Sequence, residues 1–304
     1  MTAAVEVVGL RKSYAGHEAL RGVDLEIAVG EVFCLLGPNG AGKTTTVEIL
    51  EGFRPRSAGA VRVLGIDPHG QPAALRERIG IVLQECALPG ELRVAELIAA
   101  YRSYYPRPRP AAELLELVEL GGDGRRLVRD LSGGQKRRLD LALALVGDPD
   151  LVFLDEPTTG FDPEARRRSW TAIANLAALG KTIVLTTHYL DEAEELAERV
   201  AVVVDGRVVA CDSPAALAGR QRASRIVFEL CDLPGGDELP VIEGAAIALR
   251  GRRVTVTTDD AHRAMVILLA WAEGHGSHLD GLTVSPPTLE DAYLELVGAA
   301  GGPA

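Results

Sequence analysis

Eight consecutive residues do most to restrict what this chain can become. Gly37-Pro38-Asn39-Gly40-Ala41-Gly42-Lys43-Thr44 follows the apolar run 32–36 and leads into a helical segment near 43–51. Glycines at these intervals let the backbone curl until successive N–H groups face one point, and the positive end of the following helix adds to the same field. Such a loop cradles phosphate groups, and its strand-to-helix setting is the one the motif requires. Only four of the 32 basic residues are lysine, so a lysine at the motif's lysine position is informative. With this chain's own residue frequencies, about 0.004 chance matches are expected along its length. Lys43 is therefore expected to reach the β- and γ-phosphates of a nucleotide. Thr44 is expected to offer its hydroxyl to Mg²⁺, a hard cation that prefers oxygen ligands, and Thr45 belongs to the same nucleotide-binding turn.

A second signal is Leu151-Val152-Phe153-Leu154-Asp155-Glu156, an apolar strand ending in two adjacent carboxylates. The carboxyl edge of a parallel sheet is where such folds bind ligands. Beside a phosphate-binding loop, Asp155 is expected to complete the Mg²⁺ shell and Glu156 to orient or deprotonate an attacking water as general base. Alone, the same pair reads as a helix cap or a surface pair.

Leu131-Ser132-Gly133-Gly134-Gln135 reads locally as an N-cap serine with glycines at a turn. Beside the two motifs above, it resembles the signature of ABC ATPases, and the resemblance extends over about 1–220. It implies an α/β P-loop NTPase cassette with a mainly parallel sheet, an antiparallel flank and a helical subdomain. Tyr14 resembles the aromatic that stacks on adenine. Gln84 resembles the glutamine that contacts Mg²⁺ and the lytic water, and His188 the switch histidine that hydrogen-bonds the γ-phosphate. Thr159-Gly160-Phe161-Asp162-Pro163 resembles the loop that crosses to the other protomer, with Phe161 where leucine is common and Asp162 in place. The family's logic implies an ATP-dependent homodimer. Ser132, Gly133, Gly134 and Gln135 of one protomer close on the γ-phosphate held by the other, and a separate membrane permease is driven by the cycle.

The hydrophobic pattern supports that architecture. Short β-branched runs at 5–10, 32–36, 61–64, 79–83, 151–154 and 182–186 read as strands. They alternate with helical segments near 43–51, 94–105, 133–147, 163–179 and 189–197, which predicts a buried, largely parallel sheet covered by helices. The opening strands are expected to form an antiparallel flank. Arg107-Pro108-Arg109-Pro110 breaks the middle of the region, and 84–148 is expected to be a helical insertion. The texture changes near 217–224, so the ATPase domain is placed at 1–221 and a small α+β domain at 222–304. The latter has strands at 226–230 and 253–257 and helices at 262–272 and 289–297.

Net charge excludes one class of partner. At −11 the chain lacks the basic balance that phosphate neutralisation on nucleic acid requires. No stretch approaches ~18 uninterrupted apolar residues, and the first residues carry no cationic region before an apolar core. Localisation on the cytoplasmic face of a membrane, through the permease, is therefore expected. Cys34, Cys86, Cys211 and Cys231 lie far apart, as packing thiols do. His275 and His278 have no third ligand at a matching spacing, so no metal is expected there. Pro287-Thr288-Leu289-Glu290-Asp291-Ala292-Tyr293-Leu294 resembles the closing motif of bacterial daunorubicin-resistance-type exporter ATPases, which implies export of a drug or lipid-like compound that never touches this chain. The alternative is a soluble ABC ATPase that remodels DNA or ribosomes, which typically carries a long coiled coil or two tandem cassettes.

Replacing Lys43 by Ala should weaken ATP binding on the order of 100-fold, because charge-assisted hydrogen bonds to phosphate are each worth ~1.5–3 kcal/mol. Titration calorimetry with ATP measures this directly, and an unchanged affinity would remove Lys43 from the phosphate site.

Overall fold

The computed structural model describes residues 3–83, 87–219, 223–230 and 239–300. Strands that are apolar on both faces must be covered on both sides. β3 (Val32–Leu36), β6 (Leu151–Asp155) and β7 (Thr182–Thr187) are buried at every position, and they form the middle of a six-stranded sheet ordered β5-β6-β7-β3-β8-β9. β5 (Ile79–Val82) runs parallel to β6 and β8 (Arg199–Val204) parallel to β3, and β9 (Arg207–Asp212) closes the edge antiparallel to β8. The register does the functional work. Leu36 lies opposite Thr187, and Asp155 opposite Thr186, so the loop after β3, the paired carboxylates and the segment before His188 leave the sheet along one edge.

A second sheet supplies the antiparallel flank. β1 (Ala3–Tyr14) lies between β2 (His17–Ala28) and β4 (Ala58–Val63), antiparallel to both. Its apolar side chains share one core with the large sheet: Val5, Leu10, Leu20 and Ile27 pack in the same cluster as Phe33, Phe153 and Val184. α1 (Lys43–Leu50) joins that cluster through Val47, Ile49 and Leu50. The short α2 (Ala73–Arg76) precedes β5. The expected insertion holds α3 (Val94–Arg102), α4 (Ala111–Leu117), a 3-10 turn at Val128–Asp130 and α5 (Gly133–Ala144). α6 (Pro163–Ala178) and α7 (Leu190–Leu196) follow β6 and β7, and α8 (Pro214–Gly219) follows β9.

The chain divides into two compact units, Met1–Pro214 with Leu296–Ala304, and Ala215–Glu295. The second unit contains a four-stranded antiparallel sheet ordered β11-β12-β10-β13, from β10 (Ser224–Leu230), β11 (Ala245–Arg250), β12 (Arg253–Thr258) and β13 (Leu279–Ser285). α9 (Ala261–Gly274) buries Ala264 and Leu268 against Ile226, Phe228, Val254 and Val256. At the start of α10 (Leu289–Ala300), the Thr288 hydroxyl accepts from the Asp291 amide at 3.3 Å, while the Asp291 carboxylate accepts from the Thr288 amide at 3.1 Å. That reciprocal cap gives the Pro287–Leu294 segment its local structure.

Several strands of this architecture have weaker or unread sequence signals. β2 carries a period-2 pattern in Val23, Leu25 and Ile27, all buried, and β8 is an apolar run after Arg199. β11, Ala-Ala-Ile-Ala-Leu-Arg, is alanine-rich, and β13 is interrupted by Gly281; both depend on their neighbours more than on propensity.

Glu51 is an unusual feature of the first unit. It sits just after α1, 3% exposed. Burial pushes its carboxyl up to about 8, with the nearby Asp155 and Glu48 carboxylates adding to the effect. A carboxyl raised in the folded state favours folding only while protonated, so its contribution is intact below the ordinary carboxylate range and is lost as pH rises towards 8. Glu51→Gln should therefore leave stability near pH 4.5 unchanged and gain on the order of 3 kcal/mol at pH 8. Urea unfolding at both pH values tests this, and a difference independent of pH would contradict it.

Candidate functional site

The loop after β3 is shaped by what surrounds it. A Cβ on Gly37 would lie 2.3 Å from the Val203 carbonyl oxygen, and one on Gly42 2.7 Å from Leu20. Gly40 and Gly42 also have φ of +81° and +105°, a region open to glycine at little cost. Gly42 occupies the N-cap of α1 and no side chain caps that helix, so its first N–H groups face the loop rather than a capping oxygen. Lys43, 5% exposed, curls back to donate to the carbonyls of Gly37 at 2.7 Å and Pro38 at 3.2 Å. Burial lowers its ammonium from the usual lysine value; Glu156 and Asp155 pull the other way without cancelling that effect. Asn39, Gly40, Lys43, Thr44, Thr45 and Glu156 line an open pocket of about 300 Å³.

The carboxylates are held by β7. The buried Thr186 hydroxyl donates to Asp155 Oδ1 and accepts from the Glu156 amide at 3.0 Å. Glu156 has φ of +46°, a left-handed conformation that a non-glycine residue holds at a cost of about 1–3 kcal/mol unless its surroundings impose it. Its carboxylate accepts from the Thr159 hydroxyl at 3.1 Å and lies 3.2 Å from His188 Nδ1. The His188 ring packs against Tyr189 at 4.1 Å, and the Arg166 guanidinium covers Tyr189 at 4.5 Å while pairing with Asp191 at 2.9 Å. Beneath them, buried Glu192 accepts from Thr158 and Trp170, and burial raises its carboxyl above the ordinary range. The arrangement can hold an anion at the loop and a water beside an aimed carboxylate.

The pentapeptide Leu131–Gln135 lies elsewhere in the unit. Ser132 caps α5: its hydroxyl accepts from the Gln135 amide at 3.2 Å, and Gln135 Oε1 accepts from the Ser132 amide at 3.0 Å. Asp162 caps α6, its carboxylate accepting from the Glu164 and Ala165 amides. Ser132, Gly134, Gln135 and Asp162, with Arg138 and Arg168, line a separate opening of about 320 Å³. Gly133 is the first residue of α5. The two openings share no residue.

Of the other expected site residues, Tyr14 ends β1 with Lys12 and Arg54 cations 4.9 and 5.3 Å from its ring, and it does not line the loop pocket. Gln84 lies outside the described residues. Sequence reasoning passed over Thr186 and Thr159 as site residues. Their signals are present: two threonines close an otherwise apolar strand just before His188, and Thr159 stands three residues after Glu156.

Fold and site together define a P-loop nucleoside triphosphatase. Residues 20–159 match the ABC transporter family, and residues 224–288 match the C-terminal domain of ABC transporter domain-containing protein-like chains. A daunorubicin resistance ATP-binding protein of Streptomyces coeruleorubidus is 37% identical, with 97% of this chain and 96% of that one covered. The Nod factor export ATP-binding protein I of Rhizobium johnstonii is 38% identical over 97% and 95%. Among solved structures, cbiO1 of Clostridium perfringens, part of the ABC transporter complex cbiONQ, aligns with a TM-score of 0.64 at 28% identity, covering 71% of this chain and 91% of that one. The chain therefore belongs to the ABC transporter family, as an ATP-binding subunit that hydrolyses ATP in coupling to transport. No helix among the described residues is long and apolar enough to cross a membrane.

Thr186→Val keeps the shape of the side chain but removes the hydroxyl shared by Asp155 and Glu156. It should cost about 1–3 kcal/mol of stability, because buried polar groups lose a partner. Turnover should fall further than melting temperature explains. Wild-type ATPase activity in a folded Thr186→Val protein would show that the bridge does not position the carboxylates.

Proposed function

We propose that this chain powers an exporter by closing head-to-tail with a second copy around two ATP molecules, and that a separate membrane permease carries a drug-like or other hydrophobic compound. The observation that carries the dimer is the separation of the two openings. One chain presents a phosphate cradle at Asn39–Thr45 and, on residues wholly distinct from it, the Ser132–Gln135 opening. A second copy in reversed orientation brings one against the other. A similar solved structure, an ATP-binding cassette 26% identical with a TM-score of 0.61, is a dimer bound to ADP and Pi.

Within each composite site, Lys43 and the loop amides bind the β- and γ-phosphates. Glu156 accepts the proton of the attacking water, and His188, within hydrogen-bond reach of Glu156, steadies the γ-phosphate. Ser132 and Gly134 of the second copy close over that phosphate, and Asp162 borders the same junction. Tyr14 meets the adenine. The residues present fit Mg²⁺ by their chemistry, as oxygen ligands. A hydroxyl and a carboxylate, Thr44 and Asp155, suit a cation that arrives on phosphate and keeps several waters. Bound there, Mg²⁺ supplies neutralisation of phosphate charge, with Gln84 as a further oxygen ligand. Loss of the γ-phosphate removes the bridge between copies, so closed and open states alternate. The exporter relatives named above support drug or lipid-like cargo, and the 222–304 domain steadies the dimer or its hold on the permease, at the cytoplasmic face.

Glu156→Gln should lower turnover by roughly 10²–10⁴-fold, the usual worth of a general base, while ATP binding persists and a dimer accumulates with ATP. Ser132→Arg should bind ATP yet fail to dimerise. Gel filtration with ATP and phosphate release measure both, and a Ser132→Arg protein that dimerises and turns over normally would contradict the composite site.

A further inference from the structure

The left-handed backbone at Glu156 is steadied from one side by Thr186, through its amide. The peptide carbonyls on either side of it are held from another element altogether. Arg137, on the first turns of α5 and 13% exposed in its side chain, donates through Nη2 to the Asp155 carbonyl at 2.9 Å and through Nε to the Pro157 carbonyl at 3.4 Å. Nη1 donates to the Leu83 carbonyl, one residue before Gln84, and lies 3.5 Å from Asp140 Oδ2. One planar group thus spans the ends of β5 and β6 and straddles Glu156. Only a guanidinium offers several donors in a fixed plane; an ammonium on a flexible stem reaches fewer acceptors at once. The stem leaves α5 two residues after Gln135, so these three carbonyls follow the helix that Ser132 caps.

We propose that Arg137 is a positioning residue for ATP hydrolysis: its guanidinium holds the backbone on both sides of Glu156 and makes the aim of that carboxylate depend on the seating of α5. Ser132–Gln135 and Glu156 are then mechanically joined within one chain. Closure at the Ser132 opening, where the second copy's phosphate lies, is felt by this chain's own base. The inference rests on the reading of Glu156 as general base. The hydrogen bonds of Arg137 to the Leu83, Asp155 and Pro157 carbonyls leave the loop that binds phosphate as it is, so its loss should spare nucleotide binding.

The test measures ATP turnover, ATP affinity and melting for Arg137→Gln, Arg137→Lys, Glu156→Gln and the double variant Glu156→Gln/Arg137→Gln, all in the full chain. Both single arginine variants should lose kcat by roughly 10- to 100-fold, the scale of a misplacement near 1 Å, with the KM for ATP within about threefold of wild type. In the double variant the arginine change should add less than about twofold to the loss from Glu156→Gln, because residues acting as a unit are not additive. In one further variant, Arg137→Ala, added guanidinium ion should restore part of the turnover without raising the melting temperature, which a merely structural role would not allow. Multiplicative losses in the double variant, or a wild-type kcat in Arg137→Gln, would overturn the proposal while leaving Glu156 as base. Fast hydrolysis by Glu156→Gln alone would overturn the base assignment and, with it, the role given to Arg137.

Discussion

A single buried cation organises this molecule. Lys43 lies almost wholly out of water, and an ammonium there would be expelled or neutralised unless its surroundings replaced the lost hydration. The carbonyls of Gly37 and Pro38 take part of that role. The fields of Asp155 and Glu156 take another part without fully offsetting burial, which leaves the site short of negative charge close by. A polyphosphate supplies it. The parallel sheet follows from this need, since the loop, the carboxylates and the segment before His188 converge only where neighbouring strands end together. That edge is also where helix N-termini point, so backbone amides and the lysine act on the same anion.

The strain at Glu156 has a complementary origin. The Glu156 amide donates to Thr186 of β7, and Arg137 of α5 donates to the flanking carbonyls of Asp155 and Pro157. The cost of the left-handed conformation is met by contacts with two different elements. Motion of either one therefore reaches the carboxylate without any bond to nucleotide.

Much of this was legible in the residues because the decisive chemistry is local. Gly37–Thr44 names its own loop, since few sequences satisfy both the curl and the lysine. Asp155 and Glu156 gained meaning from their place at the end of an apolar strand. The large sheet was readable because β3, β6 and β7 are apolar throughout, and the flank only in part, because β2 alternates over a length broken by Gly22. What Thr186 and Arg137 hold was not legible. Their partners lie 18 to 54 residues away, and only the strand register and the placement of α5 bring them together. Tyr14, whose sequence position resembles an adenine platform, has the cations of Lys12 and Arg54 4.9 and 5.3 Å from its ring.

The cap of α5 carries one further consequence. Aspartate or asparagine would cap that helix as well as serine does, so local stability leaves the choice open. Ser132 accepts from the Gln135 amide through a lone pair, which leaves its hydroxyl proton unspent. Under the proposed function that proton points the cap outward as a donor, at no expense to the helix. Aspartate would keep the helix and present an anion to an anion. What excludes aspartate here is the polarity of one hydrogen bond, and the residue that opens the helix is thereby also one able to greet a phosphate.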